Sequence, residues 1–131
     1  MKCKILAFVD KSYPANHSFV DDFLAYTLPL SNLSVDIYVS GNSKFNSSLD
    51  YYNAKIFPYL YKRKGCLRFF NFFKVKKIVN KYSSLDDDLI ILVRNEPIYL
   101  YSASKFKKKE TKLFFQQSFP YERSSGFFIK K

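Results

Sequence analysis

Arg94, Asn95 and Glu96 are the residues of this chain best placed by type and spacing to do chemistry. They follow directly on Leu89-Ile90-Ile91-Leu92-Val93 and precede Pro97. Five consecutive apolar residues suit a strand buried on both faces, and open α/β sheets bind their ligands where such strands end. The Arg94 guanidinium can hold a phosphate or carboxylate through two parallel hydrogen bonds, and Glu96 can accept from a sugar hydroxyl. The same groups can instead pair with each other, or Arg94 with Glu122, and the sequence leaves both readings open. His17 is the only histidine and lies in the loop after the first strand, next to Asn16. One histidine and two distant cysteines, Cys3 and Cys66, assemble neither a Ser-His-Asp triad nor a zinc ligand set. The chain has no GxxxxGK[ST] or GxGxxG motif, and the loop from Asp10 to Asn16 contains no glycine. A dinucleotide cannot bring its pyrophosphate close to such a backbone, so no cofactor and no metal are expected. Asp86-Asp87-Asp88 reads as a solvated loop before a strand.

The elements that must position these residues follow from periodicity. Lys4 to Val9 reads as a first buried strand. Ser18 and Asp21 form a capping-box-like start to a helix whose stripe (Phe19/Val20, Phe23/Leu24, Thr27/Leu28) runs to Pro29. Val35, Ile37 and Val39 alternate with polar neighbours as a second strand, closed by Gly41-Asn42. The Ser/Asn-rich stretch from Asn42 to Tyr52 reads as loop. Ala54 to Tyr59 is a third strand, placed at an edge or a strand end by Pro58. A helix over Cys66 to Tyr82, a strand over Leu89 to Val93, a helix from Pro97 to about Lys107 and a strand over Lys112 to Gln117 complete the series. The order β-α-β-β-α-β-α-β predicts a Rossmann-like, three-layer α/β/α domain with a mostly parallel sheet of about five strands. Nothing marks a boundary, so residues 1–131 are expected to form a single domain.

The chain has 131 residues, 47% of them hydrophobic, with 15 Phe and 11 Tyr, enough for a real core. Its net charge of +11 implies an anionic partner: a phospholipid surface, a nucleic acid or a phosphorylated substrate. No apolar run approaches the roughly 20 residues of a membrane span, and no secretory leader is expected. The two cysteines read as buried or half-buried thiols in a reducing cytosol.

Between Asp50 and Asp86 there is no acidic residue. The basic side chains there include Lys62, Arg63, Lys64, Arg68, Lys74, Lys77 and Lys81, interleaved with aromatic ones. On a helical projection Phe72, Val75, Ile78, Val79 and Tyr82 share a core face, whereas Lys74, Lys77 and Lys81 fall opposite, together with Phe70 and Phe73. Aromatics beside lysines suit an interfacial helix on an anionic leaflet, where each basic side chain contributes on the order of 1 kcal/mol. A solvated lysine face with covered phenylalanines is the plain alternative, and nucleic-acid binding a further one.

The chain resembles the N-terminal domain of GT-B-type glycosyltransferases, the group that includes glycosyltransferase family 4. The resemblance is carried by Lys4-Ile5-Leu6-Ala7-Phe8-Val9 with its Pro-containing loop and helix, and by Ser34-Val35-Asp36-Ile37-Tyr38-Val39. It continues in Ile91-Leu92-Val93-Arg94-Asn95-Glu96-Pro97 and in Leu113-Phe114-Phe115-Gln116-Gln117-Ser118-Phe119-Pro120-Tyr121-Glu122. In such enzymes an arginine commonly ends the fourth strand and a short polar motif ends the fifth.

The resemblance implies a domain that binds the acceptor, a lipid-linked glycan or lipid, on the inner membrane face. The nucleotide-sugar donor would be held by a C-terminal domain, with transfer in the cleft between the two. Asn16, His17, Arg94, Asn95, Glu96 and Ser118 would line the acceptor side, and the protein would be cytoplasmic and peripheral, serving cell-surface polysaccharide or glycolipid synthesis.

Departures from the pattern are the absent glycine-rich first loop and Gln117, Ser118 and Tyr121 where many members carry a histidine. No donor-binding half follows Lys131, so the chain is expected to be a fragment that does not transfer sugar alone. The alternative is a non-enzymatic, basic nucleic-acid-binding module, although no RNP, KH or zinc-knuckle signature is present. A weaker one is a stand-alone domain of a polysaccharide-assembly complex.

Overall fold

The computed structural model describes residues 3–12, 33–41, 47–51, 54–61, 66–85 and 88–117. The strands are β1 (Lys4–Ser12), β2 (Ser34–Ser40), β3 (Leu49–Tyr51), β4 (Ala54–Leu60), β5 (Leu89–Arg94) and β6 (Lys112–Gln116). A 3-10 turn, Cys66–Phe70, leads into α1 (Asn71–Leu85), and α2 is Pro97–Phe106. The expected helix over Ser18 to Leu28 lies outside the described residues.

One sheet is formed in the order β3-β4-β2-β1-β5-β6. All of its neighbours are parallel except β3, which runs antiparallel to β4. The chain moves outward from β1 through β2 to β4, then returns by α1 to β5 on the other side of β1. This is the α/β, Rossmann-like architecture that the alternation of elements predicts.

Both faces of the sheet are buried. Leu6, Phe8, Tyr38, Leu89, Ile91 and Val93 pack under Val75, Ile78, Val79 and Tyr82 of α1 and Tyr99 and Ala103 of α2. Ile5, Ala7, Val9, Val35, Ile37, Val39, Ala54 and Ile56 form the core of the second face. Central strands buried twice over read as continuous apolar runs, which is why they are legible in the sequence.

Several boundaries differ from expectation. β1 continues past Val9 to Ser12, because Asp10, where hydropathy drops, is buried against a partner on β5. The stretch read as loop contains β3, whose three residues pair through backbone with Tyr51 opposite Ala54 and Leu49 opposite Ile56. A three-residue edge strand is too short to show a period. The helix expected from Cys66 begins as a 3-10 turn and becomes α-helical only at Asn71. Pro58 lies beyond the stretch that β3 covers, and the β2 ladder shifts register just after it, from Val39↔Pro58 to Ser40↔Leu60. Both cysteines are free, Cys3 half-buried and Cys66 exposed rather than buried.

A polar network crosses the floor under α1. The Lys4 ammonium sits 2.8 Å from the Asp36 carboxylate and 2.9 Å from Ser34 Oγ. The Tyr82 hydroxyl donates to the other oxygen of Asp36. With that proton given away, Tyr38 is left to donate to Tyr82, 3.1 Å off. Burial raises both phenol pKa values above 10.0, and Asp36 adds to each. A phenol whose folded pKa is raised contributes stability in full below pH 10.0, lost as pH climbs beyond it. The phenolate absorbance of these two residues, taken as the difference from the Tyr38→Phe and Tyr82→Phe variants, should therefore appear only together with loss of far-ultraviolet circular dichroism.

Candidate functional site

The chain reverses its outward direction between β1 and β5, and their carboxyl ends form the switch point at which open α/β sheets bind ligands. Strand register places Val9 beside Arg94 and Arg94 beside Gln116 on this rim. The Arg94 side chain is 1% exposed and the Asp10 side chain 2%, with Nη1 3.3 Å from Oδ1. The guanidinium offered by sequence to a phosphate thus meets a carboxylate 84 residues away. A buried pair of this kind joins the two strands across the switch point.

Asn95 turns the chain. Its φ of 62° is left-handed, a conformation that asparagine tolerates better than most residues, and its N–H donates to the Gln116 carbonyl at 2.9 Å. Glu96 then caps α2: its side chain accepts from the Ile98 N–H at 3.4 Å, and its carbonyl accepts from Tyr99 and Leu100. Pro97 occupies the first turn, where a missing N–H costs nothing. Glu96 is 4% exposed, so its carboxylate serves the helix end. Arg94, Asn95 and Glu96 follow one another at the rim, whereas Asn16, His17 and Ser118 lie outside the described residues. Gln116 Oε1 is buried beside them without a donor.

Asn71, which the sequence does not single out, is the hinge-pin of this end. It is fully buried and binds both backbone groups of Tyr61, accepting from its N–H at 2.8 Å and donating to its carbonyl at 3.0 Å. It also donates to the Tyr99 hydroxyl at 3.3 Å. The end of β4, the start of α1 and the first turn of α2 therefore share one side chain. Ser102 Oγ, bonded to the Phe72 carbonyl at 2.6 Å, fastens α2 to α1 a turn further along.

Just before Asn71 the 3-10 turn carries an apolar ridge. Leu67, Phe69, Phe70 and Phe73 are each more than half exposed, at 56, 57, 54 and 60%. Large apolar side chains exposed so close together in sequence are uncommon on a protein surface. Phe70 and Phe73 were legible as lying off the core stripe; Leu67 was not, although its spacing of three from Phe70 places the two on one side of a 3-10 turn.

The basic fringe divides. Lys77 and Lys81 are exposed, and Arg68 lies 4.9 Å from the centre of the Phe69 ring. Lys74 is turned inward instead, 2.6 Å from the Tyr59 carbonyl and 3.7 Å from the centre of the Tyr61 ring. Burial lowers its pKa from 10.5. It holds the β4 end against α1 and is not a solvent-facing cation. Lys62, Arg63 and Lys64 lie outside the described residues. No helix among the described residues is long and apolar enough to cross a membrane.

No protein-family model, curated protein or solved structure matches the chain.

Two substitutions test how this end is built. Arg94→Met strands a buried carboxylate and should cost about 3–5 kcal/mol. Adding Asp10→Asn should return part of that loss, read as a coupling energy from urea midpoints. Asn71→Ala leaves both backbone groups of Tyr61 unpaired and should cost about 2–3 kcal/mol.

Proposed function

We propose that this chain is the acceptor-side half of a GT-B-type sugar transferase, seated on an anionic lipid surface. The supporting observation is the placement of two features at one end of the sheet. The switch point between β1 and β5, where such folds hold ligands, is at the same end as the exposed ridge Leu67–Phe73. The two are tied through Asn71 and Tyr99. An apolar ridge with lysines beside it, in a stretch free of acidic residues from 51 to 85, suits insertion among anionic headgroups. A lipid or lipid-linked glycan held there would present its reacting end towards the rim.

In this reading Arg94 and Glu96 build the rim: one fixes β1 to β5, the other fixes α2. The acceptor meets Asn95 and Gln116 along the rim, and the resemblance assigns Asn16, His17 and Ser118 to the same cleft. The nucleotide sugar belongs to a second domain, and the reaction class is transfer of a hexosyl group.

In co-sedimentation, the chain should bind vesicles containing anionic lipid and release them as salt rises. Phe70→Ser with Phe73→Ser should weaken binding without changing the circular dichroism. Equal binding to neutral vesicles would remove the electrostatic part of the reading. Tighter, salt-steep binding to single-stranded oligonucleotides would favour base stacking on the same exposed aromatics. Calorimetry with nucleotide sugars should give no heat of binding; tight binding would put the donor site in this domain.

A further inference from the structure

Away from the rim, the flank of α1 and the outer strand β4 enclose a trough of about 300 Å³. Its lining includes Tyr38, Phe57 and Tyr59 from the sheet and Lys77, Ile78 and Lys81 from the helix. It is open to solvent along one side, a groove in the surface rather than a void in the core. The floor is aromatic: the Tyr38 and Phe57 rings stack with centroids 4.7 Å apart, and Tyr59 meets Tyr38 edge-on at 6.2 Å.

Charge fixes one end of the occupant. Lys77 and Lys81 stand one helical turn apart, about 6 Å along the axis, and lie on the same flank. Neither has an acidic partner among the described residues, and no described carboxylate lines the trough. The pair therefore suits a single phosphate group. Part of the polar surface of the floor is already engaged: the Tyr38 hydroxyl is bonded to Tyr82, and the Tyr59 carbonyl accepts from Lys74. A ligand rich in hydroxyls finds few partners there; an apolar chain needs none. Position points the same way, because Lys77, which lines the trough, is one helical turn from Phe73 of the ridge.

We propose that this trough is a lipid site, taking one acyl chain of an anionic phospholipid over Tyr38, Phe57 and Ile78, with its phosphate between Lys77 and Lys81. The site rests on the lipid-surface part of the proposed function and is separate from the rim. One bound lipid would anchor the domain at a fixed point of the leaflet, whereas the ridge alone only inserts.

The test uses the whole chain and dihexanoyl-phosphatidylglycerol below its micellar concentration, so that no membrane is present. Titration followed by nuclear magnetic resonance should show saturable binding, with contacts from acyl protons to the Tyr38 and Phe57 rings. Inorganic phosphate should give none. Lys77→Gln with Lys81→Gln, both exposed and therefore harmless to folding, should weaken affinity about thirtyfold. Phe70→Ser with Phe73→Ser should leave this affinity unchanged while weakening vesicle sedimentation, which separates the trough from the ridge. Vesicle binding without binding of the monomeric lipid would overturn the site and spare the surface reading. Equal binding of inorganic phosphate, or an unaltered affinity in the lysine variant, would overturn it as well.

Discussion

Ile5 to Val9 are five consecutive side chains of β1, none more than 7% exposed. A strand so enclosed can carry a polar group only where a partner waits inside the protein, since an isolated buried charge is prohibitively unfavourable. The rule explains the layout of the whole sheet. At the amino end of β1, Lys4 meets Asp36 on β2 and, through it, Tyr82 on α1. At the carboxyl end, Asp10 meets Arg94 on β5. Between them β1 contributes only apolar side chains, so chemistry is confined to the strand ends and to the sheet's thinner outer margin at β4.

That margin differs from the centre for a reason of coverage. α1 packs over the middle of the sheet and shows its core stripe of Val75, Ile78, Val79 and Tyr82 to β1, β2 and β5. β4 is the last parallel strand on its side of β1, and its Phe57 and Tyr59 are only half-buried. Aromatic rings at a half-roofed edge leave space between helix and strand, and the lysines on the helix flank lie over that space.

The fold was legible to the extent that burial speaks through hydropathy. β2, β5 and β6 stand where apolar runs or alternation placed them, and Pro97 marked the start of α2. What hydropathy cannot show is a partner distant in sequence. Asp10 looked like the end of a strand because Arg94 is 84 residues away. Glu96 carries the same carboxylate whether it meets a ligand or a helix end, and only the left-handed turn at Asn95 makes it a cap. Lys74 looked like a surface cation because its alkyl stem allows it to fold back over Tyr59 and Tyr61. Asn71 gave no signal at all, since its three partners come together only in the folded chain.

The bonds of Asn71 have a mechanical consequence. A single amide holds the last turn of backbone after β4, the root of α1 and the hydroxyl of Tyr99, whose ring lies against Phe8 with centroids 6.4 Å apart. The exposed phenylalanines and the strand ends consequently cannot swivel independently. A surface that held those rings would set the tilt of the sheet above it, and with it the height and direction from which anything attached to that surface would approach the strand ends.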